Sequence, residues 1–176
     1  MRTNIALPIR KFFEQYLVEE RGASPHTVLA YRDTWKLLLQ LLADRARTCS
    51  TELTVEDLTA ERVRQFLTHL ERDRHTTVRT RNARLAAIHS FVRYLASLDP
   101  RWLSRCQDVL AIRFKRQACP VQGYLEREEV VHIFRHIDGR TPSGARDDAV
   151  LRLLYNTGAR AQELVDLDVS HVRFSR

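Results

Sequence analysis

Four long stretches of this chain repeat apolar residues at intervals of three and four, and little interrupts them: the 176 residues include only five glycines and five prolines. That period is helical, so each stretch carries one apolar stripe and needs a partner to cover it. A first helix is expected over about residues 8 to 21, with Ile9, Phe12, Phe13, Tyr16 and Leu17 on its stripe and Gly22 as its stop. Ser24 is placed to cap a second, with Pro25 at the first position, where a missing N–H does no harm. Tyr31, Leu38, Leu39 and Leu42 carry that stripe to about Ala43. Thr59 suits the N-cap of a third helix, in which Val63, Phe66, Leu67 and Leu70 recur at helical spacing. A fourth covers about residues 76 to 98 and stops before Asp99-Pro100, because the residue before proline disfavours helix. A shorter piece is expected over 102 to 112. Residues 1–112 therefore read as one mostly α domain of four to five helices.

The next eleven residues, RFKRQACPVQG over 113–123, mix basic residues with a proline and a glycine and have no apolar period. They read as a basic interdomain linker. Residues 124–176 form a second unit, with helical patterns over 125–137 and 145–156 split by the turn-rich 139–144. Thr157-Gly158 breaks the second of these, and 159–167 makes a short third. No apolar run approaches the roughly 18 residues of a membrane span. The N-terminus lacks the pattern of a secretory signal, so a cytoplasmic location is expected. Cys49, Cys106 and Cys119 are far apart and odd in number, with no paired Cys/His spacing. They are expected to be reduced, semi-buried residues, and no metal or other cofactor is implied.

Charge narrows the class of partner. The net charge is +7, and the basic residues are nearly all arginine, the lysines being Lys11, Lys36 and Lys115. Between Thr76 and Ala118 stand Arg79, Arg81, Arg84, Arg93, Arg101, Arg105, Arg113, Lys115 and Arg116, opposed only by Asp99 and Asp108. The whole excess sits in that segment. A localised basic patch on an otherwise balanced body is the electrostatic footprint of a nucleic-acid binder.

On a helical wheel of the fourth helix, Leu85, Ile88, Val92 and Leu95 fall on one side and Arg79, Asn82, Ala86, Ser90 and Arg93 on the other. Small residues let a backbone approach another surface, while Arg and Asn reach phosphates or purine edges. Arg81 and Arg84 flank the stripe as further backbone contacts. Without any acidic residue from Thr76 to Leu98, a purely solvated face would place arginines against one another. The start of the second helix, with Ser24, His26, Thr27 and Arg32, is a weaker candidate contact. Lys115 and Arg116 extend the patch into the linker.

The segment LRLLYNTGARAQELVDLDVSHV, residues 151–172, resembles the first catalytic box of the tyrosine recombinases, the phage-integrase family, in which an apolar helix meets TG-x-R-x-x-E-L. Thr157, Gly158, Arg160, Glu163 and Leu164 match it, and Leu154-Tyr155 and Leu167 match its apolar flanks. Upstream, SPHTVLAYRDTWKLLLQLL and TVRTRNARLAAIHSFVRYL resemble the second and fourth helices of that family's SAM-like core-binding domain. The resemblance implies a helical core-binding domain followed by a partial, helical start of an α+β catalytic domain. It further implies duplex DNA at a recombination site and other recombinase protomers as partners.

The same resemblance makes Arg160 the catalytic residue that stabilises charge on the attacked phosphate. Thr157, Gly158 and Glu163 would support the box. In the family a β-hairpin lysine, a His-x-x-Arg box, a further His or Trp and a nucleophilic tyrosine follow. The sixteen residues after Arg160 hold none of these, so the chain is expected to be truncated and inactive alone. The sequence His132-Ile133-Phe134-Arg135 spells His-x-x-Arg upstream of Arg160, in the wrong order, and Tyr155 occupies an apolar helix position. The family's β-sheet would begin around 169–174, and without it the last helices would expose apolar faces. Three alternatives remain open: a salt bridge from Arg160 to Glu163 or Asp166, a non-catalytic helical DNA-binding regulator, and a helical protein–protein adaptor.

Overall fold

Ser24, Thr59 and Thr77 each stand in extended backbone one residue ahead of a helix, and each hydroxyl accepts the N–H three residues on, at 3.2 to 3.3 Å. Those caps satisfy donors that the first helical turn leaves orphaned. In the computed structural model, which describes residues 3–117 and 123–171, they open α2 (Pro25–Ala46), α3 (Ala60–Arg72) and α4 (Val78–Leu98). A turn at Pro100–Trp102 leads into α5 (Leu103–Leu110). The regular elements among the described residues are helical, apart from one antiparallel bridge between Asn4 and Thr54.

The first helix departs from expectation in its winding. It starts as α1 (Ala6–Lys11) and continues as a π-helix over Phe12–Glu20, in which the Arg21 N–H donates to the Tyr16 carbonyl five residues back. Phe12 and Leu17, also five apart, are its buried residues. The wider turn brings that pair onto the core, while Phe13 and Tyr16 are only partly covered. Gly22 ends the run with φ of +56°, a backbone that glycine adopts without strain.

The chain divides into two compact units, Met1–Cys119 and Pro120–Arg176. In the first, α4 packs against α2, α3, α5 and the π-helical segment. Phe91 on α4 is fully buried, with its ring 4.5 Å from Trp35 and 5.3 Å from Phe12. Leu53, Val55 and Leu58, in the connection between α2 and α3, join the same core. The N-terminal residues are tied there by Ile5 N–H to the Leu53 carbonyl and Val55 N–H to the Thr3 carbonyl. Cys106 is buried as expected of a small apolar residue, Cys49 is exposed and not semi-buried, and Cys119 lies outside the described residues.

The segment expected as a linker from Arg113 does not leave the first unit there. Residues 113–117 belong to it, and 118–122 lie outside the described residues. In the second unit α6 spans Arg127–Arg135, α7 Pro142–Thr157 and α8 Ala161–Val165. Gly144 is required near the start of α7, because a Cβ there would stand 1.9 Å from the Asp138 carbonyl oxygen. No described residue of this unit is buried, and Leu151, Leu153, Tyr155, Val165 and Leu167 are all exposed. The region expected to open a sheet begins with a 3-10 turn at Val169–His171, beyond which the residues are not described.

Candidate functional site

Thr77 fixes where α4 begins, and so sets which side chains its first turns present. Arg79 is exposed, Arg84 is half-buried, and both line a groove between α2 and α4 together with Asp33 and Thr34. The Arg84 guanidinium reaches Thr34 Oγ1 at 3.4 Å, while its Nε is buried without a partner. Burial lowers its pKa, and Arg74 nearby acts in the same sense, but an arginine stays charged throughout. At the start of α2, His26 is exposed, and Thr27 shares its hydroxyl with the Ser24 cap at 3.0 Å. Arg93 is exposed fourteen residues after Arg79, about 21 Å farther along the helix.

Part of the polar stripe expected on α4 does not face solvent. Arg81 is only 6% exposed and Ser90 only 5%. Neither is a surface contact, which corrects the expectation that Arg81 flanks the stripe as a phosphate contact. The physical reason is the neighbour that α4 acquires. Arg81 falls on the side of the helix that carries Leu85 and Ile88, and it is covered by the residues that follow α5. Ser90 lies on the opposite side, and α4 as a whole packs against α2, α3, α5 and the π-helical segment. Arg81 Nη1 donates to the Arg113 carbonyl at 3.2 Å and to Asn82 Oδ1 at 3.0 Å. Asn82 in turn holds the backbone of Lys115, and the Lys115 ammonium meets Glu71 at 2.7 Å. Arg116 is exposed.

Sequence reasoning missed Glu71, which lies on α3 forty-four positions from its partner, with no local pattern to flag it. It also missed His89, buried with Nε2 donating to the Val109 carbonyl at 3.1 Å. Phe114, the one large apolar residue amid the basic stretch, was the available signal that the stretch docks. Its ring meets the His89 ring edge-on at 5.3 Å.

In the second unit α7 ends at Gly158, whose φ of +66° reverses the chain so that Arg160 stands in extended backbone just ahead of α8. Thr157 supports this turn from both sides: its hydroxyl donates to the Leu153 carbonyl at 2.6 Å and accepts the Ala159 N–H at 3.2 Å. Glu163 accepts the Arg160 backbone N–H at 2.8 Å and its Nη1 at 3.0 Å. The Arg160 side chain is nevertheless 84% exposed. Only one of its five N–H donors is engaged by that carboxylate, which leaves a flat fork of donors open to an anion. Tyr155 is exposed on α7 with its ring edge against Phe134, and Arg152 lies over the same Phe134 ring.

Comparison with known proteins gives a match in each unit. The phage integrase N-terminal SAM-like domain matches residues 11–98, and the phage integrase family domain matches residues 123–176. The Sinorhizobium fredii protein named integrase/recombinase y4rD is 36% identical over 96% of this chain and 60% of its own length. A second from the same strain, y4rC, is 40% identical over 93% of this chain and 49% of its own. A tyrosine recombinase XerC of Oceanobacillus iheyensis is 29% identical over 93% of this chain and 50% of its own. The chain thus spans about half the length of the curated relatives it matches. No solved structure matches it. With one match on the helical unit and another on the unit carrying Arg160, the chain belongs to the phage integrase family of tyrosine recombinases.

Proposed function

We propose that this chain takes part in site-specific DNA recombination by gripping duplex DNA with its helical unit and presenting Arg160 to the phosphate under attack. The observation that carries the reading is the Arg160 box. A left-handed glycine, a hydroxyl-braced turn and a carboxylate together hold one exposed guanidinium with most of its donors unused. Negative charge develops on the non-bridging oxygens as a tyrosine attacks a phosphodiester, and a fixed guanidinium stabilises it. The nucleophile and the leaving-group acid are assigned to the part of the relatives' length that this chain does not span.

Arg79, Arg84 and Arg93 on α4, His26 and Thr27 on α2, and Lys115 and Arg116 after α5 supply the phosphate and base-edge contacts. Duplex DNA and further recombinase protomers are the partners, in the cytoplasm, with no cofactor. No described helix is long and apolar enough to cross a membrane. The test is binding of the chain to duplex DNA across a salt series. A linear fall of log affinity with log salt, with a slope of about −0.9 per phosphate contacted, supports the reading. Affinity that ignores salt removes it.

A second reading is a helical DNA-binding regulator in which Arg160 is dispensable. The Arg160–Glu163 ion pair favours it, because it gives the guanidinium a partner inside its own box. Supplying the family's remaining half in trans separates the two. A covalent protein–DNA adduct that disappears with Arg160→Ala belongs to the first reading, and DNA binding without any adduct belongs to the second.

A further inference from the structure

Asn82 does more than sit beside the segment that follows α5. Its side-chain amide donates from Nδ2 to the Lys115 carbonyl at 2.8 Å, and its Oδ1 accepts the Lys115 N–H at 3.1 Å. One side chain thus takes both backbone groups of one residue, the pattern by which an antiparallel strand pairs with its neighbour. The amide is oriented from behind, since Arg81 Nη1 donates to the same Oδ1 at 3.0 Å while also donating to the Arg113 carbonyl. With two donors on the oxygen and an acceptor in front of the nitrogen, only one orientation of the amide satisfies every group. Two outer contacts complete the grip: the Lys115 ammonium on Glu71, and the Phe114 ring on the edge of His89.

We propose that Asn82 is a latch that holds residues 113–117 as a docked basic arm on α4, and that its opening lengthens the chain leaving the helical unit. Release of these five residues adds up to about 17 Å of reach. It also strips Arg81 of one of its carbonyl partners. The two bonds from Asn82 to the Lys115 backbone are neutral, and the single ion pair lies on the exposed rim, so salt that weakens phosphate contacts leaves the arm in place. Asn82 is accordingly a positioning residue and not a nucleic-acid contact. This inference stands apart from the proposed function, because its readout requires no DNA.

Amide hydrogen exchange of the whole chain reads the latch directly at the Lys115 N–H. Asn82→Ala is expected to speed that exchange about thirtyfold, the factor for losing two hydrogen bonds of ordinary net strength. Amides in the middle of α4 should keep their protection. Asn82→Asp should open the arm too, because it retains the acceptor for the Lys115 N–H but turns a second oxygen toward the Lys115 carbonyl. Glu71→Gln should have a smaller effect that vanishes at high salt, whereas the Asn82 effect persists.

Lys115→Pro leaves α4 untouched and removes the arm's own donor. It keeps the test valid if an Asn82 variant fails to fold, and it should speed tryptic cleavage after Arg116 by a similar factor. Lys115 exchange that is unchanged in a folded Asn82→Ala, or cleavage after Arg116 that is unchanged in Lys115→Pro, would overturn the latch.

Discussion

Glu163 holds Arg160 at both ends, one carboxylate oxygen accepting the Arg160 backbone N–H and the other accepting Nη1. The backbone contact caps α8, and the side-chain contact aims the guanidinium. Because the pair is exposed, it adds little to stability, and its value lies in orientation. In an assay that supplies the rest of the family's length in trans, Arg160→Ala should lower the rate of covalent adduct formation by about 10² to 10³, the loss typical of one oxyanion-stabilising donor. Glu163→Ala should lower it by a smaller factor, since the guanidinium remains. Arg160→Lys should not rescue, because an ammonium cannot reproduce the planar fork. Equal rates in all three variants would remove the box from the chemistry.

The arginines of α4 divide by what they touch. Arg79 is exposed and Arg84 half-buried beside a groove, so each is available to a phosphate, whereas Arg81 is committed inside the unit. Arg79→Ala and Arg84→Ala should each reduce the salt slope of duplex binding by about one unit. Arg81→Met should leave the slope unchanged and instead lower folding stability by about 1 to 3 kcal/mol. It would leave the Arg113 carbonyl without its Arg81 donor and the Asn82 amide oxygen with the Lys115 N–H alone. Paired salt titrations and urea melts distinguish the two classes, and a slope change in Arg81→Met would place it at the interface after all.

This division also marks where the sequence was legible. The three threonine and serine caps, the stripe of α3 and the TG-x-R-x-x-E-L turn are local patterns, written in residues three or four apart, and each stands where the pattern puts it. The wheel of α4 was read as having two sides, one for the core and one for a ligand. Periodicity along one helix does not say how many neighbours surround it, and α4 packs against four other elements, so that Ser90 is buried as well. Trp35 was passed over on α2 although it is among the most buried side chains. The arm at 113–117 offered only Phe114 as a local sign of docking. Its grip comes from Asn82 and Glu71, thirty-three and forty-four positions away from Lys115, and such pairings have no signature within a window of sequence.

Phe91 is the point at which α2, α4 and the π-helical segment meet, with its ring in contact distance of Trp35, Phe12 and Tyr94. Phe91→Ala should destabilise the helical unit by about 3 to 5 kcal/mol, combining lost transfer energy with the cavity left between those rings. Urea unfolding followed by tryptophan emission reads the loss, because Trp35 is almost fully buried against this ring. A change below about 1 kcal/mol would mean that the aromatic cluster collapses around the gap and does not depend on this side chain.

His89 gives the helical unit a pH dependence whose sign follows from its surroundings. Burial is the main cause that lowers its pKa, the bond to the Val109 carbonyl opposes this, and Arg93 and Arg81 reinforce the lowering. The folded chain therefore keeps His89 neutral at a pH where the unfolded chain, titrating near about 6.5, accepts a proton. Stability is fully present above that value and falls as the pH drops through the window between it and the folded value. The slope reaches at most about 1.4 kcal/mol per pH unit. In urea melts at pH 7.5, 6.5 and 5.5 the midpoint should fall on acidification. In His89→Gln, which keeps a donor for Val109 but cannot titrate, the fall should be shallower. Identical pH profiles for the two proteins would show that His89 takes up its proton in the folded chain as readily as in the unfolded one.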